Sequence, residues 1–167
     1  MTSEIAVGKI LRKNKKTLAI AESCTGGLIS NRITDVSGSS DYFIAGIVAY
    51  SNGIKQNVLG VSAKSIQKYG AVSKQVALEM AEGVRFLAGT DIGMGVTGIA
   101  GPPAHKILNC RRAGATGGTK SKPVGLVYIA LVTDKKRIAR EFHFKGSRLK
   151  IKSQATEAAL QLLTWLF

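Results

Sequence analysis

TLAIAESCTGGLISNRITDV, residues 17–36, is the stretch that decides the fold. Its first part, TLAIAES, is short, apolar and β-compatible, whereas TGGLISNRITDV from Thr25 sets Leu28, Ile29, Ile33 and Val36 at helical spacing. Ser23 and Cys24 therefore stand side by side at a strand-to-helix junction. The first turn of a helix leaves backbone N–H groups without partners, so such a junction can cap the helix, hold an anion or stabilise a developing oxyanion.

The same alternation of periods continues on both sides. Ser3 to Asn14 predicts a helix with Ile5, Ile10 and Leu11 on one side, and YFIAGIVAYS from Tyr42 predicts a buried strand. SNGIKQNVLG predicts a short helix capped by Ser51 or Asn52, and VSAKSIQKYG a further turn ending on Gly70. Ser73 heads SKQVALEMAEGVRFLAG, which carries Val76, Met80, Val84 and Leu87 on one stripe and stops at Gly89. DIGMGVTGIAG is a glycine-rich strand running into a loop. VGLVYIALVT from Val124 and RIAREFHF predict a strand pair joined by a turn at Asp134 to Lys136. The last helix runs from about Arg148 to Leu166, with Ala155, Ala159, Leu162 and Leu166 inward. This order predicts an α/β fold, a three-layer α/β/α sandwich around a mixed, mostly parallel sheet with one antiparallel member. Ligands collect at the carboxyl ends of strands in such sheets, and Ser23, Tyr50 and Thr97 all fall there.

Composition narrows the function classes. A chain of 167 residues with 45% hydrophobic content suits one core, hence a single domain over 1–167. No apolar run reaches the roughly 20 residues that span a bilayer, and the amino terminus lacks the apolar block of a signal peptide. A cytoplasmic protein without a membrane partner is expected. Cys24, Cys110, His105 and His143 have no metal-ligand spacing, so no structural zinc site is indicated. The formal charge is +14, and residues 101–152 hold thirteen Lys/Arg against two Asp/Glu. Stacked aromatics are not interleaved with that cluster. Solvated surface and attraction of a small phosphorylated ligand outrank a nucleic-acid site.

Gly93, Gly95 and Gly98 spell GxGxxG, but the first two lie inside the strand and the motif runs into Pro102 and Pro103 instead of opening a helix. Small residues admitting a neighbouring backbone are the better reading. CTGG lacks the lysine of a phosphate-binding loop. Taken alone, Ser23 reads first as a helix cap and second as a nucleophile, and Cys24 first as a small buried hydrophobe. A nucleophilic serine needs a proton acceptor. Tyr50 ends a strand and Lys55 lies on the following helical turn, so both can lean over the same sheet edge. A lysine acts as a base only when burial or neighbouring cations depress its pKa, and Arg148 is a candidate for that push.

AESCTGG, VAYSNGIKQNVLGVS, YGAVSKQVALEMAEGVR, DIGMGVTGIAGP, KPVGLVYIAL and FKGSRLKIKSQATEAAL together resemble the carboxy-terminal domain of the CinA family. Single-domain members of that family are nicotinamide mononucleotide amidohydrolases. The resemblance implies Ser23 as nucleophile, Lys55 as general base and Tyr50 in a relay between or beside them. It implies backbone N–H groups around Cys24, Thr25, Gly26 and Gly27 as oxyanion donors, Thr97, Gly98 and Ala100 lining the pocket, and Arg148 and Lys152 facing the phosphate. A pyridine nucleotide substrate, no cofactor, no metal and a homodimer go with it. The pyrophosphatase-like domain that precedes this one in longer members is expected to be absent. Three departures stand out: Gly53 where an acid is usual, Lys152 where arginine is usual, and an inserted loop over 103–117. Two readings from other classes remain, a non-catalytic nucleotide-binding or regulatory module and a nucleic-acid-associated protein using the basic 101–152 region.

Overall fold

In the computed structural model, which describes residues 1–101 and 118–167, the chain forms α1 (Ser3–Asn14), β1 (Leu18–Glu22), α2 (Leu28–Thr34), β2 (Phe43–Val48), α3 (Asn52–Asn57), α4 (Ala63–Tyr69), α5 (Lys74–Ala88), β3 (Ile92–Gly98), β4 (Leu126–Val132), β5 (Arg137–His143) and α6 (Arg148–Thr164). The expected insertion at 103–117 lies outside the described residues. The five strands are ordered β2-β1-β3-β4-β5. β1 pairs in parallel with β2 and with β3, and β4 runs antiparallel to both of its neighbours, which makes β4 the one reversed strand. Among the described residues no helix is long and apolar enough to cross a membrane.

Strand period explains the layers. Leu18 and Ile20 of β1 face the core shared with α1, α2 and α6, while Ala19 and Ala21 face the core shared with α5. Gly93 and Gly95 of GxGxxG serve this second face. A Cβ on Gly93 would stand 2.0 Å from the Ala81 carbonyl oxygen, and one on Gly95 2.2 Å from that of Ala77. They let α5 lie directly on β3, as the sequence context implied.

Two helix caps stand where the sequence placed them, but α2 begins at Leu28 and not at Thr25, because Gly26 and Gly27 take left-handed φ of 65° and 94° and form a turn. It ends at Thr34, before Val36. Ser51 Oγ accepts from the Ile54 N–H at 3.2 Å and Ser73 Oγ from that of Val76 at 3.3 Å. Three faces differ from expectation. Val7 and Leu11 are the large buried side chains of α1, beside the buried Gly8, with Ile5 exposed, because the i, i+4 pair packs into the core shared with α2 and α6 and Ile5 falls off that line. Leu87 is exposed beyond the end of the buried α5 stripe. β2 is not a buried strand: it lies at the sheet edge, with Ile44 52% and Val48 47% exposed. An edge strand has one neighbour, so part of its apolar surface stays in water.

Because β1, β2 and β3 point the same way, their carboxyl ends meet at one rim. Ser23, Ala49, Tyr50 and Thr97 are brought to it by topology alone.

Candidate active site

Lys55 is 1% exposed, although lysines are seldom fully buried without a charged partner. Its Nζ lies 3.1 Å from Ser23 Oγ, 2.7 Å from the Ala49 carbonyl oxygen and 3.4 Å from that of Tyr50. Among the described residues no carboxylate forms an ion pair with it. Burial without a counterion pushes its pKa down from 10.5 to about 8, against a smaller opposing effect of Cys24. Arg148 is not the source of the shift, contrary to the sequence expectation; desolvation is. The three oxygens also suit a neutral amine. Two N–H groups can serve the two carbonyls, and the lone pair remains for the serine proton.

Ser23 is 8% exposed, and its own N–H donates to the Val96 carbonyl at 3.0 Å, tying the residue to β3. Cys24 beside it sits in the core, and burial pushes its thiol up to about 12. Desolvation defeats any helix-end effect, so the sulfur stays protonated and is no rival nucleophile.

The junction between β1 and α2 is held by a residue that sequence reasoning passed over. Glu22 is fully buried. Its Oε2 accepts from the N–H groups of Gly27 at 3.0 Å and Ile29 at 3.1 Å, and its Oε1 from the N–H of Ser30 at 2.8 Å and the Ser30 hydroxyl at 2.7 Å. The signal was an acid five residues before a glycine that offers the helix no side-chain cap. Gly27 spends its N–H on Glu22, and Gly26 donates to the Ser23 carbonyl at 3.1 Å. The oxyanion donors expected across Cys24 to Gly27 therefore narrow to Cys24 and Thr25, whose N–H groups meet no acceptor among the described residues.

The pocket residues separate into two groups. Thr97 is buried and its hydroxyl donates to the Ala71 carbonyl at 2.9 Å, holding the segment before α5. Ala100 packs in the core, and Gly98 backs onto Val127 and the Cys24 sulfur. These three support the rim from beneath. Thr25 is also fully buried, and its hydroxyl has no partner among the described residues. An unpaired buried hydroxyl costs stability, whereas an apolar group of the same shape does not. Thr25→Val is accordingly expected to raise stability by about 1 kcal/mol in denaturant unfolding. A loss instead would mean that the hydroxyl has a partner.

On the open side, Tyr50 is 56% exposed and its hydroxyl accepts from Arg148 at 2.9 Å. It points to α6 and makes no hydrogen bond to Ser23 or Lys55; only the Tyr50 carbonyl reaches the amine. The expected relay is thus not the arrangement found, because the guanidinium holds the phenol. Arg148 also lies against Gly101, where an added Cβ would be 3.1 Å from a guanidinium nitrogen, and Lys152 Nζ lies 3.5 Å from the corresponding position on Gly26. Two cations without carboxylate partners among the described residues thus border the rim that carries Ser23. Among the described residues no cluster of His, Cys, Asp and Glu could hold a metal ion.

The CinA C-terminal domain family matches residues 2–108 and 112–167. A competence-damage inducible protein of Thermoanaerobacter pseudethanolicus is 47% identical over 160 residues, covering 96% of this chain and 36% of the relative. The chain thus spans about a third of the length of such curated relatives. Among solved structures, the competence/damage inducible protein CihA of Agrobacterium tumefaciens superposes with a TM-score of 0.85 at 33% identity, covering 98% of this chain and 94% of that one. A CinA superfamily protein of Escherichia coli gives 0.86 at 29% identity, covering 99% and 91%.

Proposed function

The chain belongs to the CinA C-terminal domain family, and from that premise we propose that it hydrolyses the carboxamide of nicotinamide mononucleotide to nicotinate mononucleotide and ammonia. The observation that carries the reading is a buried Lys55 amine 3.1 Å from Ser23 Oγ, with no carboxylate partner among the described residues. That is the geometry of an activated nucleophile and its base.

In the proposed cycle Ser23 Oγ forms a bond to the carboxamide carbon while its proton passes to Lys55 Nζ. The N–H groups of Cys24 and Thr25 take the resulting oxyanion. The C–N bond then breaks, Lys55 returns the proton to the departing nitrogen, and ammonia leaves behind an ester on Ser23. Water attacks that ester, Lys55 accepts one of its protons and gives it to the departing Ser23 Oγ, and the acid so formed leaves as the carboxylate, releasing its remaining proton to solvent. The pyridinium ring of the substrate withdraws electrons from the carbonyl and makes the first attack easier. In this cycle Arg148 and Lys152 receive the phosphate, Lys152 as a point charge without the bidentate fork of arginine. Tyr50 acts here by its carbonyl on the lysine and its hydroxyl on Arg148.

Ammonia release decides the matter. The expected result is release from nicotinamide mononucleotide and much weaker release from nicotinamide riboside, which lacks the phosphate. A folded protein that binds the mononucleotide but releases no ammonia from it would sink the hydrolase reading in favour of a binding module.

A further inference from the structure

We infer that Glu22 is a positioning residue that holds both members of the Ser23–Lys55 pair in register. The inference rests on the Ser–Lys reading above, though not on the identity of the substrate.

Glu22 is the last residue of β1, and each of its ends is fixed to a different part of the site. Its carbonyl accepts from the Ala49 N–H at 2.8 Å, and the Ala49 carbonyl accepts from Lys55 Nζ at 2.7 Å. The amine is therefore two hydrogen bonds away from the Glu22 backbone. On the other side, its carboxylate gathers four donors from Gly27, Ile29 and Ser30. Ser23 is the next residue in the chain and opens the turn that those donors close. The turn is thus clamped at entry by the bond from Ser23 N–H to Val96 and at exit by the carboxylate. Between the clamps lie only Cys24, Thr25 and Gly26. These include the two residues whose N–H groups meet no acceptor among the described residues.

A plain helix cap would need less. The usual device is a short polar side chain at the residue just before the helix, satisfying one or two N–H groups. Here that residue is Gly27, with φ +94°, and the acceptor comes from the preceding strand and binds donors at both ends of the first turn. Only a carboxylate serves all four donors. Glutamine offers one acceptor oxygen and turns an NH2 group against the N–H groups of Gly27 and Ile29, while aspartate keeps both acceptors and the charge but reaches one methylene less far.

The test measures Ser23 reactivity without any nucleotide. A fluorophosphonate labels an activated serine by forming the Oγ–P bond as fluoride leaves, and its second-order rate depends on the alignment of Ser23 with Lys55. In Glu22→Gln and Glu22→Asp, rates about tenfold to a hundredfold below the parent are expected, since displacing a reacting group by about 1 Å costs on the order of that factor. Circular dichroism should show both folded at the assay temperature. Should the glutamine variant not fold, the aspartate variant carries the test alone. In Glu22→Asp the pH midpoint of labelling should match the parent while the plateau falls, because the charge is retained and the reach is not. Parent-like labelling in a folded variant, or a moved midpoint with the plateau intact, would overturn the assignment. A parent that labels at Ser23 but leaves nicotinamide mononucleotide untouched would sink only the substrate, whereas a parent that does not label would remove the nucleophile and this inference together.

Discussion

Ammonia release from nicotinamide mononucleotide is expected to be abolished in Ser23→Ala and to fall by about a hundredfold to ten-thousandfold in Lys55→Met, the range that a positioned general base supplies. In the parent, kcat/KM should rise with pH and level off through a midpoint of about 8, the value to which burial lowers Lys55. The direction follows from the chemistry. A protonated amine has no lone pair for the serine proton, so the active form is the one present above the midpoint. Methionine preserves the length and apolar stem of lysine while removing the nitrogen, so the cavity stays filled and the loss reports on proton transfer. Activity that falls as pH rises through 8, or a Lys55→Met enzyme within tenfold of the parent, would remove the lysine from the base role.

The second large effect is on stability, and its sign is opposite. Lys55→Met is expected to be more stable than the parent by about 3 kcal/mol at pH 7. The lysine pKa drops from 10.5 to about 8 on folding, and each pKa unit corresponds to about 1.4 kcal/mol. Below pH 8 the amine is protonated whether the chain is folded or not, so the full cost of holding an ammonium away from water is present. Between pH 8 and pH 10.5 the unfolded chain keeps the proton that the folded chain has released, and raising the pH stabilises the fold. The gap between variant and parent should therefore shrink to about 1 kcal/mol by pH 10. Urea unfolding of both proteins at pH 7 and pH 10 reads it. A parent more stable than Lys55→Met at pH 7 would show that the hydrogen bonds to Ala49, Tyr50 and Ser23 outweigh the desolvation, and that the amine is held as a cation. Together the two results would mark Lys55 as a residue kept for reactivity at the expense of stability.

Several features were legible because they depend on local periodicity or on turn chemistry. The strand ending at Glu22, the α5 stripe of Val76, Met80 and Val84, and the caps at Ser51 and Ser73 all stand where spacing placed them. The rejection of a dinucleotide-binding GxGxxG was legible too, since Gly93 and Gly95 sat inside a strand pattern. β2 was misread because FIAGIV is apolar throughout, and nothing within it states that it has a neighbour on one side only. Thr97 and Tyr50 were placed at the correct rim, but whether a hydroxyl turns to the Ala71 carbonyl or to a guanidinium from α6 is set by segments far away in the chain. Glu22 escaped for the same reason. Local capping rules inspect the residue before a helix, and here the acceptor arrives from the strand.

By itself the sequence determined the order of the elements, the reversal of β4 through its hairpin with β5, and the family to which the chain is similar. Each of these is written in neighbouring residues. Only the tertiary structure decided that the amine of Lys55 lies beside Ser23 across 32 positions of chain, away from water and from any carboxylate among the described residues. Its proton affinity follows from that placement, because desolvation is a property of what surrounds a group in space and no stretch of letters carries it.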